Sequence, residues 1–127
     1  MLFRSQVLNS YLIPKNIQIE SISLESDYSL NLELFSSRLS ERFAAVVLPY
    51  PDRFGNVYNF APVCQRAGEL GVLRVFATDP ISMGLLASPG SLGADIAIGE
   101  GQALGLPVNY GGPYIGLLAA KIGRAHV

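Results

Sequence analysis

Residues 94 to 116, ADIAIGEGQALGLPVNYGGPYIG, set glycine at 99, 101, 105, 111 and 112 between two apolar runs. Glycine at that density leaves backbone N–H groups uncovered, and such loops cradle phosphates. The spacing nevertheless fits neither G-x-G-x-x-G nor a P-loop with its terminal Lys-Ser/Thr. A strand-to-strand loop with glycines at positive φ remains the plain alternative, and Gly111-Gly112-Pro113 reads as a turn. Asp79 is the carboxylate placed best for chemistry, directly after an apolar run, but with Pro80 behind it the local sequence reads as a helix N-cap. Cys64, between Val63 and Gln65 within a helical pattern, reads as buried and unreactive. Lys15 and Lys121, the only lysines, flank apolar runs and read as solvated ends.

The only histidine, His126, sits in the final segment IGRAHV, which looks like a translated sequencing adapter. We therefore divide the chain into 1–121, an internal fragment of a larger domain, and 122–127, a non-native tail. Without His126 no Ser-His or Cys-His pair and no zinc site can be assembled. The single cysteine allows no internal disulfide and suits a reducing cytoplasm.

The 127 residues are 50% hydrophobic and 15% charged, with a formal net charge of −1 and no adjacent basic residues. That is enough for one domain with a core. It argues against a nucleic-acid surface or an anionic membrane partner. The nearly charge-free stretch from Leu104 to Ala120 is broken by Pro107, Asn109 and Gly111-Gly112-Pro113, so it reads as loop plus strand and not as a membrane span. No signal peptide opens the chain.

The loops that carry these groups need elements to hold them. Apolar spacing predicts a helix over 2–13, ended by Pro14, and a second over 32–39, capped by Asn31. NIQIESISL alternates like a strand. FAAVVLP, residues 43–49, has the pattern of a strand buried on both faces. A helix over 59–70 closes at Gly71, followed by strands near 72–77, 94–98 and 114–120. Buried strands alternating with helices predict an α/β fold, a parallel or mixed sheet with helices on both faces. In such a sheet ligands bind beyond the carboxyl ends of the strands. Tyr50 with the YPDRFGN loop, Asp79, and GEGQALG would then meet at one edge.

From AAVVLPYPDRFGNV through FATDPISMGLLASPGSLGADIAIGEGQALGLPVNYGGPYIG, the sequence resembles the N-terminal subunit, or N-terminal half, of the glycine cleavage system P-protein, the decarboxylating glycine dehydrogenase. The resemblance runs from about residue 4 to Lys121. It implies part of the large domain of the fold-type-I pyridoxal-phosphate-dependent transferase fold. It also implies a complex that decarboxylates glycine on pyridoxal phosphate and passes the aminomethyl group to the lipoyl arm of H-protein. P-protein has two homologous portions, and only the C-terminal one carries the lysine that binds the cofactor. Laid against that portion, ATDPISMGLLASPGSLGADIAIGEGQALGLP resembles a degenerate copy. Asp79 falls where the aspartate faces the cofactor's pyridine nitrogen, Gln102 falls on the lysine, and Gly101 on the histidine before it.

An amide nitrogen is not nucleophilic, so Gln102 cannot anchor the cofactor. The resemblance thus implies no catalytic residue in this chain. It implies a cofactor-binding role for Asp79, Gln102, Tyr110, Gly111 and Gly112, either as a degenerate site or through N–H groups lent to the phosphate in the partner's site. The implied partners are the C-terminal subunit or half, lipoylated H-protein and glycine, with no nucleic acid and no membrane. The implied compartment is the cytoplasm, or the mitochondrial matrix for a fused eukaryotic parent. Two other readings stand beside it. One is a non-catalytic α/β scaffold, and the other an unrelated small nucleotide-binding α/β domain that uses GEGQALG as a phosphate loop.

Overall fold

The computed structural model describes residues 2–108, 110–111 and 114–121. The segment 122–127, together with Asn109, Gly112 and Pro113, lies outside the described residues. In chain order the elements are α1 (Leu2–Leu12), α2 (Leu32–Arg38), β1 (Ala45–Tyr50), α3 (Ala61–Glu69), β2 (Leu73–Thr78), β3 (Ile96–Glu100) and β4 (Gly116–Ala120). Short 3-10 turns at Ile13–Lys15, Ile81–Gly84 and Gln102–Leu104 join them. The strands form one sheet in the order β1-β2-β3-β4. The first three strands run parallel and β4 returns antiparallel to β3, so the sheet is mixed.

Local chemistry sets the boundaries. Asn31 takes an extended conformation and its side-chain oxygen accepts the Leu34 N–H at 2.9 Å, capping α2 as expected. The Asn59 side chain accepts the Ala61 N–H at 3.1 Å, and Pro62 lies in the first turn of α3, where its missing N–H costs nothing. α3 ends where Gly71, at φ 70°, turns the chain left-handed into β2.

The core lies between α3 and one face of the sheet. Leu48, Phe60, Val63 and Phe76 are fully buried. The Phe76 ring meets both Phe60 and Tyr50 edge-on, with centroids 5.9 and 5.8 Å apart. Leu32 and Phe35 of α2 pack against the same cluster. Cys64 is buried within it, and desolvation pushes its thiol pKa up, so the cysteine is inert packing.

Three expectations are corrected here. NIQIESISL forms no strand: Asn16, at φ 57°, turns the chain after α1, and Ile17 and Ile19 stay exposed with no apolar surface to meet. That segment is tethered instead through Glu20, which pairs with Arg42 at 2.6 Å and Arg38 at 3.9 Å. β1 is buried on one face only, since Val46, Leu48 and Tyr50 point into the core while Val47 is 57% exposed. Helices cover one face of the sheet, not two, among the described residues. The continuous apolar run of β1 therefore leaves Val47 on a face that no described helix covers. The strand boundaries near 72–77, 94–98 and 114–120 hold to within two residues. No helix of the described residues is long and apolar enough to cross a membrane.

Candidate functional site at the carboxyl edge of the sheet

Because β1, β2 and β3 are parallel and in register, Tyr50 pairs with Thr78 and Thr78 with Gly99. The loops following all three strands therefore leave one edge of the sheet. The reversal of β4 brings its first residue, Gly116, opposite Glu100, so the 101–115 loop also begins and ends there. This is the edge that the sequence predicts.

The YPDRFGN loop is organised by Asp52. Its Oδ1 accepts the N–H groups of Phe54 at 2.8 Å and Asn56 at 2.9 Å. Its Oδ2 accepts from Asn56 Nδ2 at 3.0 Å and from the Tyr58 hydroxyl at 3.2 Å. Burial pushes the Asp52 carboxyl pKa up, but the hydrogen bonds from Asn56, Phe54 and Tyr58 outweigh it and hold the value below the usual carboxylate range.

Asp79 stands exposed one residue beyond β2. Its Oδ1 accepts the Ile81 N–H at 3.0 Å and its carbonyl accepts the Ser82 hydroxyl at 2.7 Å. The sequence predicts a helix N-cap here; Asp79 instead stands one residue before the Pro80 cap of a 3-10 turn and bonds two residues ahead, with the residue exposed. Beyond β3, Gln102 opens a 3-10 turn, half-buried, and its carbonyl accepts the Gly105 and Leu106 N–H groups. Tyr110 and Gly111 follow at φ 43° and 96°, with Tyr110 fully exposed. A tyrosine held left-handed costs of order 1 kcal/mol. Asp79 and Gln102 thus follow strand ends on one edge, Tyr110 and Gly111 lie in the loop that leaves and returns to it, and Gly112 lies outside the described residues.

Glu100 and Asp95, which the sequence reading did not single out, and Gly99, which it did, shape this end of the molecule and its opposite. Glu100 Oε1 accepts the N–H of Gln102 at 3.1 Å and of Ile115 at 3.0 Å. At Gly99 a Cβ would sit 2.7 Å from the Thr78 carbonyl, so only glycine allows β2 and β3 to approach there. At the amino edge Asp95, 3% exposed, takes the Arg74 guanidinium in a fork, with Nε at 2.7 Å and Nη2 at 2.8 Å. Lys121 Nζ lies 3.8 Å from the same carboxylate, so this lysine is an ion-pair partner and not merely a solvated end. The bond to Asp95 holds the Arg74 pKa above the ordinary arginine value, against the effect of burial. A charged residue at the head of each of two adjacent apolar strands, Arg74 and Asp95, was the available signal for this pair.

The residues do not fit a covalently held aldehyde cofactor. Lys121 follows β4 at the amino edge and Lys15 ends the turn after α1, so neither amine belongs to the carboxyl-edge loops. Among the described residues no group of three or more His, Cys, Asp or Glu is arranged to hold a metal. What this edge offers among the described residues is a carboxylate, an amide and a glycine-rich backbone, with no amine to form an imine.

An open mixed sheet with a glycine loop and an aspartate beyond its parallel strands is the large-domain architecture of fold-type-I pyridoxal-phosphate enzymes. The chain superposes on a cystathionine gamma-lyase from Lactobacillus plantarum, complexed with L-serine, with a TM-score of 0.73 over 96% of its length and 30% of that chain. At 14% identity that likeness speaks to the fold alone. The sequence profile of the glycine cleavage system P-protein matches residues 3–125, and the chain belongs to that family. It is 40% identical over 116 residues to the probable glycine dehydrogenase (decarboxylating) subunit 1 of Desulforamulus reducens, covering 91% of this chain and 26% of the relative. An inhibitor-bound crystal structure of glycine decarboxylase (P-protein) of the glycine cleavage system matches with a TM-score of 0.82 and 36% identity, over 95% of this chain and 26% of that one. The chain thus spans about a quarter of the length of the relatives it matches.

Proposed function

We propose that this chain is the non-lysine portion of a glycine-decarboxylating P-protein, working in the cytoplasm beside a lysine-bearing subunit or half. The observation that supports the reading is the carboxyl-edge loop, which opens on Gln102 beyond β3 and, among the described residues, carries no lysine. In the assembled enzyme pyridoxal phosphate, held by the partner, supplies the electron sink that lets glycine lose its carboxylate. The aminomethyl group then passes to lipoylated H-protein. In this reading the residues of this chain position and do not react: Gln102 and Asp79 shape the edge, and Tyr110, Gly111 and Gly112 would lend backbone N–H groups to the phosphate in the partner's site.

The test is reductive trapping. The full-length subunit, mixed with pyridoxal phosphate and borohydride, should carry no cofactor on the 101–103 peptide and release no carbon dioxide from glycine. With the lysine-bearing partner present, the label should appear on the partner alone and decarboxylation should begin. Efficient decarboxylation by this subunit alone would refute the assignment of roles.

A further inference from the structure

We propose that Glu100 is a positioning residue that closes the neck of the 101–115 loop and so sets where that loop meets the cofactor. The proposal rests on the reading that this loop faces the partner's site. One oxygen, Glu100 Oε1, accepts N–H groups from both limbs of the loop, Gln102 leaving β3 and Ile115 entering β4. Directly beside it the Gly101 N–H donates to the Ile115 carbonyl at 2.7 Å. The two bonds to Ile115 join positions far apart in sequence, so they supply the closure that a loop of this length otherwise lacks, while the Gln102 bond fixes the near limb to the same carboxylate. A carboxylate acceptor makes them roughly twice as strong as neutral pairs.

The surroundings fit a dedicated role. By strand alternation Glu100 shares its sheet face with Ile96 and Ile98, and with Leu118 across in β4. A charge on that apolar face has no packing purpose, and the partners it has are backbone N–H groups. Gly101 makes the neck tight, since a Cβ there would meet the Ile115 Cβ and carbonyl oxygen at 3.3 Å. Gln102 therefore takes its place from the same atom that fixes Ile115, and the limb bearing Tyr110 and Gly111 hangs from that junction.

The test uses the full-length subunit assembled with its lysine-bearing partner, as wild type, Glu100→Gln and Glu100→Ala. Glu100→Gln keeps an acceptor oxygen and Glu100→Ala removes it. In Glu100→Ala, amide exchange across 102–115 should quicken about tenfold while peptides of β1 and β2 keep their protection, as loss of charge-assisted bonds predicts. The dissociation constant for pyridoxal phosphate, read by absorbance titration, should rise by a similar factor, and Glu100→Gln should stay within about threefold of wild type in both measures. Unchanged exchange in Glu100→Ala would overturn the neck. Faster exchange with unchanged cofactor affinity would overturn the positioning role. A wild-type assembly that fails to decarboxylate glycine would sink the functional reading, while the exchange comparison would still decide the neck.

Discussion

Asp52 shows how one side chain converts a loop into a fixed surface. Four donors converge on its carboxylate, two from backbone N–H groups and two from the side chains of Asn56 and Tyr58. Tyr58 in turn accepts the Leu30 N–H at 3.0 Å, so the loop after β1 is tied to the segment leading into α2. The folded pKa of Asp52 lies below its unfolded value, near 3.9. Its contribution to stability is therefore present above about pH 4 and lost as the pH falls through the folded value. Asp52→Asn should destabilise the chain at pH 7 by about 1 kcal/mol, measured by denaturant unfolding. The gap to wild type should narrow steadily between pH 5 and about pH 3, as protonation removes the same charge from the wild-type protein. A gap independent of pH would show that the carboxylate's charge does not organise the loop.

At the scale of elements, the sheet is closed at its two edges by different means. The carboxyl edge depends on glycines and exposed hydrogen bonds, whereas the amino edge is held by the Arg74–Asp95 pair. Asp95 also accepts the Arg74 N–H at 3.0 Å, and its own N–H donates to the Arg74 carbonyl at 2.9 Å, so the ion pair continues the β2–β3 ladder beyond the strand end. Removing one partner leaves a buried charge unpaired. Asp95→Ala should cost about 3–5 kcal/mol. Adding Arg74→Met should recover more than about 1 kcal/mol of that loss, a non-additivity readable in a double-mutant cycle. Additive costs would mean that the pair is two independent surface charges.

The strands, α2 with its cap and α3 were legible because apolar period and capping residues determine them locally. The shared edge of Asp79 and Gln102 followed from parallel strands alone. Glu100 was hidden because its far partner lies 15 residues away, and the Arg74–Asp95 pair, 21 residues apart, left no signal but a charge near the head of each of two apolar strands. NIQIESISL misled for the converse reason: alternation suits a strand, but a neighbour must also be free to pair with it.

For the whole molecule, the uncovered face of the sheet matters most. Strand alternation puts Val47, Val75, Ile96, Ile98 and Leu118 on it together, with Val47 57% and Leu118 74% exposed. Soluble monomers rarely expose a contiguous apolar patch of more than a few hundred Å². The chain is about a quarter of the length of its relatives, and a matching layer is expected from the rest of such a polypeptide. Leu118→Lys should raise the solubility of residues 1–121 expressed alone and suppress self-association in sedimentation. The same substitution in a full-length subunit should lower its melting temperature. If the full-length protein tolerates it without change, this face is bare in the mature molecule as well.

The tether at Glu20 has a consequence of its own, which concerns ionic strength. The side chains of its pairs with Arg42 and Arg38 are 37% to 68% exposed. Near 1 M salt the screening length shrinks to about 3 Å, so these attractions fade. The Arg74–Asp95 fork, away from solvent, keeps its strength. Added salt is thus a selective solvent variable for this chain, loosening the arm before α2 while the sheet that carries the 101–115 loop stays as it is.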